Sequence, residues 1–233
     1  DGLAVFTGSG SPVNRVQGLG MRQPVQEASI DAAENFFADY DEATHIDLCP
    51  LAHDSLRRSL AAREYTVQLF KNVWWRPSGP AQSIGNAHPR LRVEMVTDAT
   101  ALLWAQVVGA AFSGQSSLAN ADTSISLPNA YKEQTACFLA WIDDDPAGGG
   151  AVAIHDGVAI LYSTSVRPAV RRMGVQSALL YARLTHAASA GCDLYTVSTT
   201  PGNASQRNVE RFGFRLAYTK PTVVRRGFRA YSD

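Results

Sequence analysis

The sequence predicts an α/β (α+β) chain in which strands and helices alternate and short hairpins join some of the strands. Three observations carry that expectation. From Val158 to Leu180 a run of mostly β-branched or apolar residues passes through a short turn into a helical stripe. The order strand–helix–strand–helix–strand can be read in residues 1–80 and again toward the C-terminus. Between apolar runs, Asp143-Asp144-Asp145-Pro146 and His155-Asp156-Gly157 have the composition of hairpin turns.

Taken in order, Leu3 to Phe6 is a short apolar run, and a strand is expected around Val13 to Met21. Ile30, Ala33, Phe37 and Tyr40 have helical spacing, with Ser29 as the N-terminal signal. A strand at Thr44 to Leu48, a turn at Pro50, a helix over Asp54 to Ala62 and an extended run from Tyr65 to Arg76 follow. That last run and Phe214 to Arg225 share an aromatic start, alternating apolar positions and a late arginine, so residues 1–80 are read as a half-repeat. The turn-rich stretch from Pro77 through Asn86 marks the boundary. Trp74 and Trp75 are assigned to packing.

The second part opens with alternating Leu91, Val93 and Met95, then a helix over Asp98 to Phe112 with Trp104, Val107, Val108 and Ala111 as its stripe. Residues 113–130 are polar and rich in Ser, Asn and Ala. Strands are expected at Ala136 to Ile142, Gly149 to Ile154, Val158 to Val166 and Leu194 to Ser198, and Gly191 caps the intervening helix. The aspartates at 143–145 have no EF-hand partner, so no metal is expected. His155, in a turn, carries little catalytic weight.

The chemistry concentrates between the strand ending at Val166 and the helix that follows. Arg171, Arg172, Met173, Gly174, Val175, Gln176 and Ser177 place two guanidinium groups and a glycine at a helix N-terminus. There the first backbone N–H groups lack internal partners and the helix dipole is positive, which makes an anion site. A pyrophosphate is the best single occupant. Arg15-Val16-Gln17-Gly18-Leu19-Gly20 spells a similar pattern, but the next helical pattern starts about ten residues later. Those glycines are therefore read as a bulge or a close backbone approach.

At Val166-Arg167-Pro168 and Arg171-x-x-Gly174-x-Gln176 the chain resembles the GNAT (Gcn5-related N-acetyltransferase) superfamily. Its signature is V-x-P, then Q/R-x-x-G-x-G/A opening a helix; Gln176 replaces the second small residue. Downstream, Asn203, Ser205 and Gly213-Phe214 resemble the family's second motif. Val209 stands where many members carry the tyrosine that protonates the departing thiolate. The resemblance covers residues 91 to 228 strongly and 1 to 80 weakly. It implies a mixed, mostly antiparallel sheet flanked by helices and splayed where Ala159–Val166 and Leu194–Ser198 part. It also implies a degenerate GNAT-like half-domain over 1–80 and an N-acetyltransferase domain over 91–233.

The cosubstrate implied is acetyl-CoA. Its pantetheine would pair with backbone at Thr164, Ser165 and Val166, its pyrophosphate would lie on Arg171 to Ser177, and Asn203 and Asn208 would lie beside it. The acceptor implied is a small-molecule or peptide amine attacking directly in a ternary complex, shaped by residues 113–130. No general acid or base is assigned, and Asn208 reads equally as a helix-surface amide. A homodimer is open. Two other classes also stay open: a CoA-binding regulatory module and an unrelated α/β nucleotide binder.

Composition bounds these readings. At 233 residues with 21 basic and 21 acidic side chains, no bulk field favours nucleic acid or an acidic membrane. No apolar run long enough to span a membrane is present, and no signal peptide is visible in a chain that begins at Asp1. Cys49, Cys137 and Cys192 are few, odd in number and far apart, which favours a reducing, cytoplasmic compartment.

Overall fold

Two units form, one from Asp1–Val73 with Ala217–Asp233 and the other from Trp74–Leu216. The computed structural model describes residues 1–79, 87–115 and 117–225.

In the first unit, β1 (Leu3–Val5) pairs antiparallel with β2 (Arg15–Gln17), and β2 pairs parallel with β3 (Thr44–Asp47). β10 (Arg215–Arg225) runs antiparallel to β3, from Thr222↔Asp47 to Arg225↔Thr44, and the first part of β4 (Thr66–Pro77) lies on its other side. Helix α1 (Glu27–Ala38) buries Ile30, Ala33 and Phe37, and α2 (Asp54–Ala62) buries Leu56 and Leu60. These meet Val16, Ile46 and Val223 in one apolar core. Asp47 is buried beside Arg15 at 3.3 Å, Lys220 at 2.7 Å and Thr222 at 2.6 Å. Burial alone would raise its carboxyl, but hydrogen bonds from Lys220 and Thr222 and the charges of Lys220 and Arg15 hold it below the ordinary value.

The second unit is built on an antiparallel run of β5 (Leu91–Met95), β6 (Thr135–Ile142), β7 (Asp145–His155) and β8 (Val158–Val166). β9 (Leu194–Thr199) joins β8 in parallel, and the end of β4 lies beyond β9. The described pairings are thus mixed and mostly antiparallel. Asp156 and Gly157, at φ 46° and 75°, make the two-residue turn that favours a tight hairpin between β7 and β8. Helix α3 (Asp98–Phe112) packs Trp104, Val107 and Val108 on Leu139 and Ala151. Helix α4 (Val175–Ser189) packs Val175, Leu179 and Leu184 on Val152, Leu161 and Tyr195. A β-carbon on Gly149 would meet Trp104 Nε1 at 2.8 Å, and one on Gly150 would meet the Arg183 guanidinium carbon at 3.1 Å. Neighbouring strand residues face opposite ways, so α3 and α4 cover opposite faces of β7. The missing side chains let both helices approach it closely.

Several boundaries differ from the sequence reading. Helix α1 starts at Glu27 rather than beyond Ser29: Gln26 is the N-cap without a side-chain bond, and Glu27 favours the first turn. The strand expected over Val13 to Met21 contracts to β2, since Gly18 and Gly20, at φ 78° and 71°, turn the chain away. β7 begins at Asp145, ahead of Gly149, because a register shift at Ala140/Trp141 lets Pro146 pair with Trp141. The compact units also divide the chain differently from 1–80 and 91–233. β4 passes out of the first unit at Val73/Trp74, and β10 passes into it at Leu216/Ala217. The pairing of β10 with β3 holds that last strand in the first unit. Of the expected boundary turn, residues 80–86 lie outside the described residues, as do Ser116 and 226–233. Among the described residues no helix is long and apolar enough to cross a membrane, and no cluster of three metal-ligating side chains occurs.

Candidate functional site

A fork between β8 and β9 creates the site. The two strands pair in parallel from Val158↔Leu194 to Leu161↔Val197, and the described pairing stops there. β8 then carries an extra residue. Ala151 pairs with Tyr162 and Gly149 with Ser165, so Ser163 and Thr164 face Gly150 alone, with Ser163 at φ 50°. Beyond the bulge, the Arg167 N–H donates to Ala147 O at 3.0 Å. Inter-strand bonds alternate along an antiparallel ladder, so the N–H of Val166 points away from β7, toward the fork.

The turn from β8 into α4 provides the positive end. Arg172 and Gly174 adopt positive φ, 68° and 83°, and Gly174 is the helix N-cap, without a side-chain bond. Only glycine takes that N-cap geometry without strain. The first N–H groups of α4 therefore stay available to an anion. Helix α5 (Ala204–Arg211) contributes Arg207 and Arg211, which line the same cavity as Arg171 and Arg172. Among the described residues no carboxylate lines it.

That cavity holds about 1200 Å3. Of the residues named from sequence, Thr164, Ser165, Val166, Arg171, Arg172, Gly174, Val175, Gln176, Ser177, Asn203 and Asn208 line it. Met173 does not; its carbonyl accepts from the His88 N–H at 3.1 Å. The Asn203 side chain caps α5 through the Gln206 N–H at 2.8 Å. Gln176 reaches sideways to α5. Its amide donates to Ser205 Oγ at 3.0 Å and its oxygen accepts from the Asn208 amide, whose own oxygen accepts from Arg211. The Ser165 hydroxyl is buried and has no partner among the described residues.

Ala111 and Phe112 at the end of α3, with Val170, Ala204, Arg207, Arg211 and Phe212, also line the cavity and were missed by the sequence reading, and Ser205, read there only as part of the second motif, lines it too. The spacing of Ser205, Asn208 and Phe212 was a usable signal, since i, i+3 and i+7 share one helix face. Val209 is turned from that face: it is buried in the core with Leu179 and Tyr195 and does not line the cavity. Tyr162 does not line it either. Its hydroxyl meets Thr135 Oγ1 at 3.1 Å, and burial raises its pKa. Tyr218, pushed up to about 12 by burial, belongs to the first unit.

Comparison with known proteins is consistent with this geometry. The Acetyltransferase (GNAT) family matches residues 107–214, which span the cavity-lining segments from Ala111 to Phe212. A GCN5-related N-acetyltransferase from Kribbella flavida superposes with a TM-score of 0.69 at 18% identity, covering 92% of this chain and 82% of that one. A tandem GNAT protein from the clavulanic acid biosynthesis pathway gives 0.63 at 13% identity, over 87% and 70% of the two chains. A GCN5-related N-acetyltransferase from Sphaerobacter thermophilus gives 0.60 at 14% identity, over 78% and 59%. These likenesses show the fold. No curated protein matches the sequence.

Proposed function

Because residues 107–214 match the Acetyltransferase (GNAT) family, we propose that the chain is an acetyl-CoA-dependent N-acetyltransferase acting on a small-molecule or peptide amine. The single observation that carries this reading is the juxtaposition of the fork with the phosphate turn. Peptide N–H groups and four arginines line one cavity, with no carboxylate among the described residues. Such a cavity favours a polyanion at one end and an extended amide-bearing chain at the other.

In this reading Arg171 and Arg172 neutralise the pyrophosphate while the first N–H groups of α4 bind its oxygens. The pantetheine takes the place beside β8 that β9 leaves beyond Leu161. The Val166 N–H, facing the fork, polarises the thioester carbonyl and supports the oxyanion. Attack by the amine then gains most of its acceleration from being held against that carbonyl. Residues 113–130, which follow the cavity-lining end of α3, bound the acceptor side.

The first unit fits a degenerate half-repeat of the same fold. β2 and β3 run parallel, as β8 and β9 do, and each parallel pair is joined through a helix. The tandem neighbour supports the same interpretation.

A second reading has its own observation. Among the described residues the lining contains no Tyr, His, Cys, Lys, Asp or Glu, so none of the side chains described there has a pKa suited to proton transfer near neutrality. A CoA-binding module with weak turnover would have this lining, and so would an enzyme that moves protons through water. One experiment tests both. Calorimetry with acetyl-CoA should give a single site, with ATP a poor competitor, and an amine panel should release CoA thiol above the hydrolysis blank. Binding without release for any amine would favour the module; no binding would sink both.

A further inference from the structure

Arg183 projects from α4 into the core and is 1% exposed. Its hydrogen bonds go to three backbone carbonyls: Nε donates to Leu179 O at 2.9 Å, and Nη1 donates to Ala151 O and Tyr162 O, both at 3.3 Å. Among the described residues it meets no carboxylate. Burial pushes the guanidinium down to about 9, so it stays protonated at neutral pH. A lone buried cation of this kind is costly, and apolar side chains fill the equivalent space elsewhere along α4.

Its two strand partners identify what it holds. Ala151 and Tyr162 form the last registered pair before the bulge, and Gly150, against which the guanidinium packs, is the residue the bulge faces. Gly150 has no side chain, which leaves the room the guanidinium fills. The extra residue matters because it sets the phase of the ladder that follows. Removing it by a one-residue slip would turn the Val166 N–H toward β7 and reverse the faces of Thr164 and Ser165.

We propose that Arg183 is a positioning residue that clamps the β8 bulge and thereby keeps the Val166 N–H aimed into the fork. This rests on the acetyl-CoA reading, and it assigns the aim of the thioester contact to a side chain outside the cavity lining.

The test separates the two ends of the ligand. Wild type, Arg183→Met and Arg183→Lys are titrated with acetyl-CoA and with adenosine 3′,5′-bisphosphate, which reaches only the phosphate end. For Arg183→Met, acetyl-CoA affinity should fall about tenfold, the loss of one backbone hydrogen bond to the ligand. Bisphosphate affinity should stay within about twofold, and Arg183→Lys should recover part of the loss. If Arg183→Met does not fold, Gly150→Ala, whose new methyl presses on the guanidinium, should give the same divergence. Equal loss of both ligands would mean a merely structural role and would overturn the proposal. So would acetyl-CoA affinity unchanged in a folded variant. A wild type that bound neither probe would overturn the acetyltransferase reading together with this one.

Discussion

Arg15 to Gly20 and Arg171 to Gln176 spell nearly the same pattern, and the first spells it more fully. The structure gives them opposite roles. Arg15 is buried in a strand, bonded to Asp47 and to Pro12 O, and α1 begins only at Glu27. Arg171 and Arg172 lead directly into α4 through a left-handed N-cap, with their guanidinium groups beside a cavity. Anion binding comes from free N–H groups at a helix start, and the letters of the pattern matter only where the backbone supplies them. In the first region the arginine supports the core; in the second it faces outward.

The contrast can be broken most forcefully at Asp47. Asp47→Ala leaves Arg15 and Lys220 without their buried counter-charge and should cost about 3–5 kcal/mol of stability. Acetyl-CoA affinity of the fraction still folded should be unchanged, and denaturant unfolding with calorimetry reads both. A comparable loss of affinity would mean that the first region also serves the ligand. Arg171→Ala with Arg172→Ala should do the reverse. Affinity should fall by about 2–4 kcal/mol, while stability stays within roughly 0.5 kcal/mol, as for surface substitutions. Affinity within threefold of wild type would refute the pyrophosphate assignment.

Val209→Tyr sharpens the comparison inside α5. Because Val209 lies in the core while Asn208 faces the cavity, a phenol there should overpack and cost about 1–3 kcal/mol. No acid limb should be gained in any CoA-release profile; a stable variant with faster release would show that the ring reaches the sulfur. The smallest effect is in pH. Asp47 has a native pKa below its unfolded value, so its contribution is present above about pH 4 and is lost as pH falls through the native value. The difference in stability between wild type and Asp47→Asn should therefore shrink as pH is lowered below 4, followed by urea midpoints.

Local pattern was enough for much of this architecture. The sequence placed Asp54–Ala62, Asp98–Phe112 and Val158–Val166 at their observed limits, because apolar periodicity and turn residues act within a few positions. The turn from Val166 into α4 was legible for the same reason. What stayed hidden depends on partners distant in the chain. Nothing near Arg183 announces that its guanidinium reaches Ala151 and Tyr162, and nothing near Gly149 or Gly150 announces Trp104 or Arg183 above and below. The allegiance of β10 was hidden likewise: its alternation fits any sheet, and only pairing with β3 decides its unit.

That allegiance imposes an order on biosynthesis. Within the first unit β10 lies between β3 and β4, yet its residues leave the ribosome more than a hundred positions after theirs. Until then both strands present unsatisfied edges, the kind of surface that recruits foreign strands. Trp74–Leu216, by contrast, is one unbroken stretch and can close on itself during translation. The nascent chain should therefore acquire protease resistance in Trp74–Leu216 before it does in residues 1–73, which wait for β10.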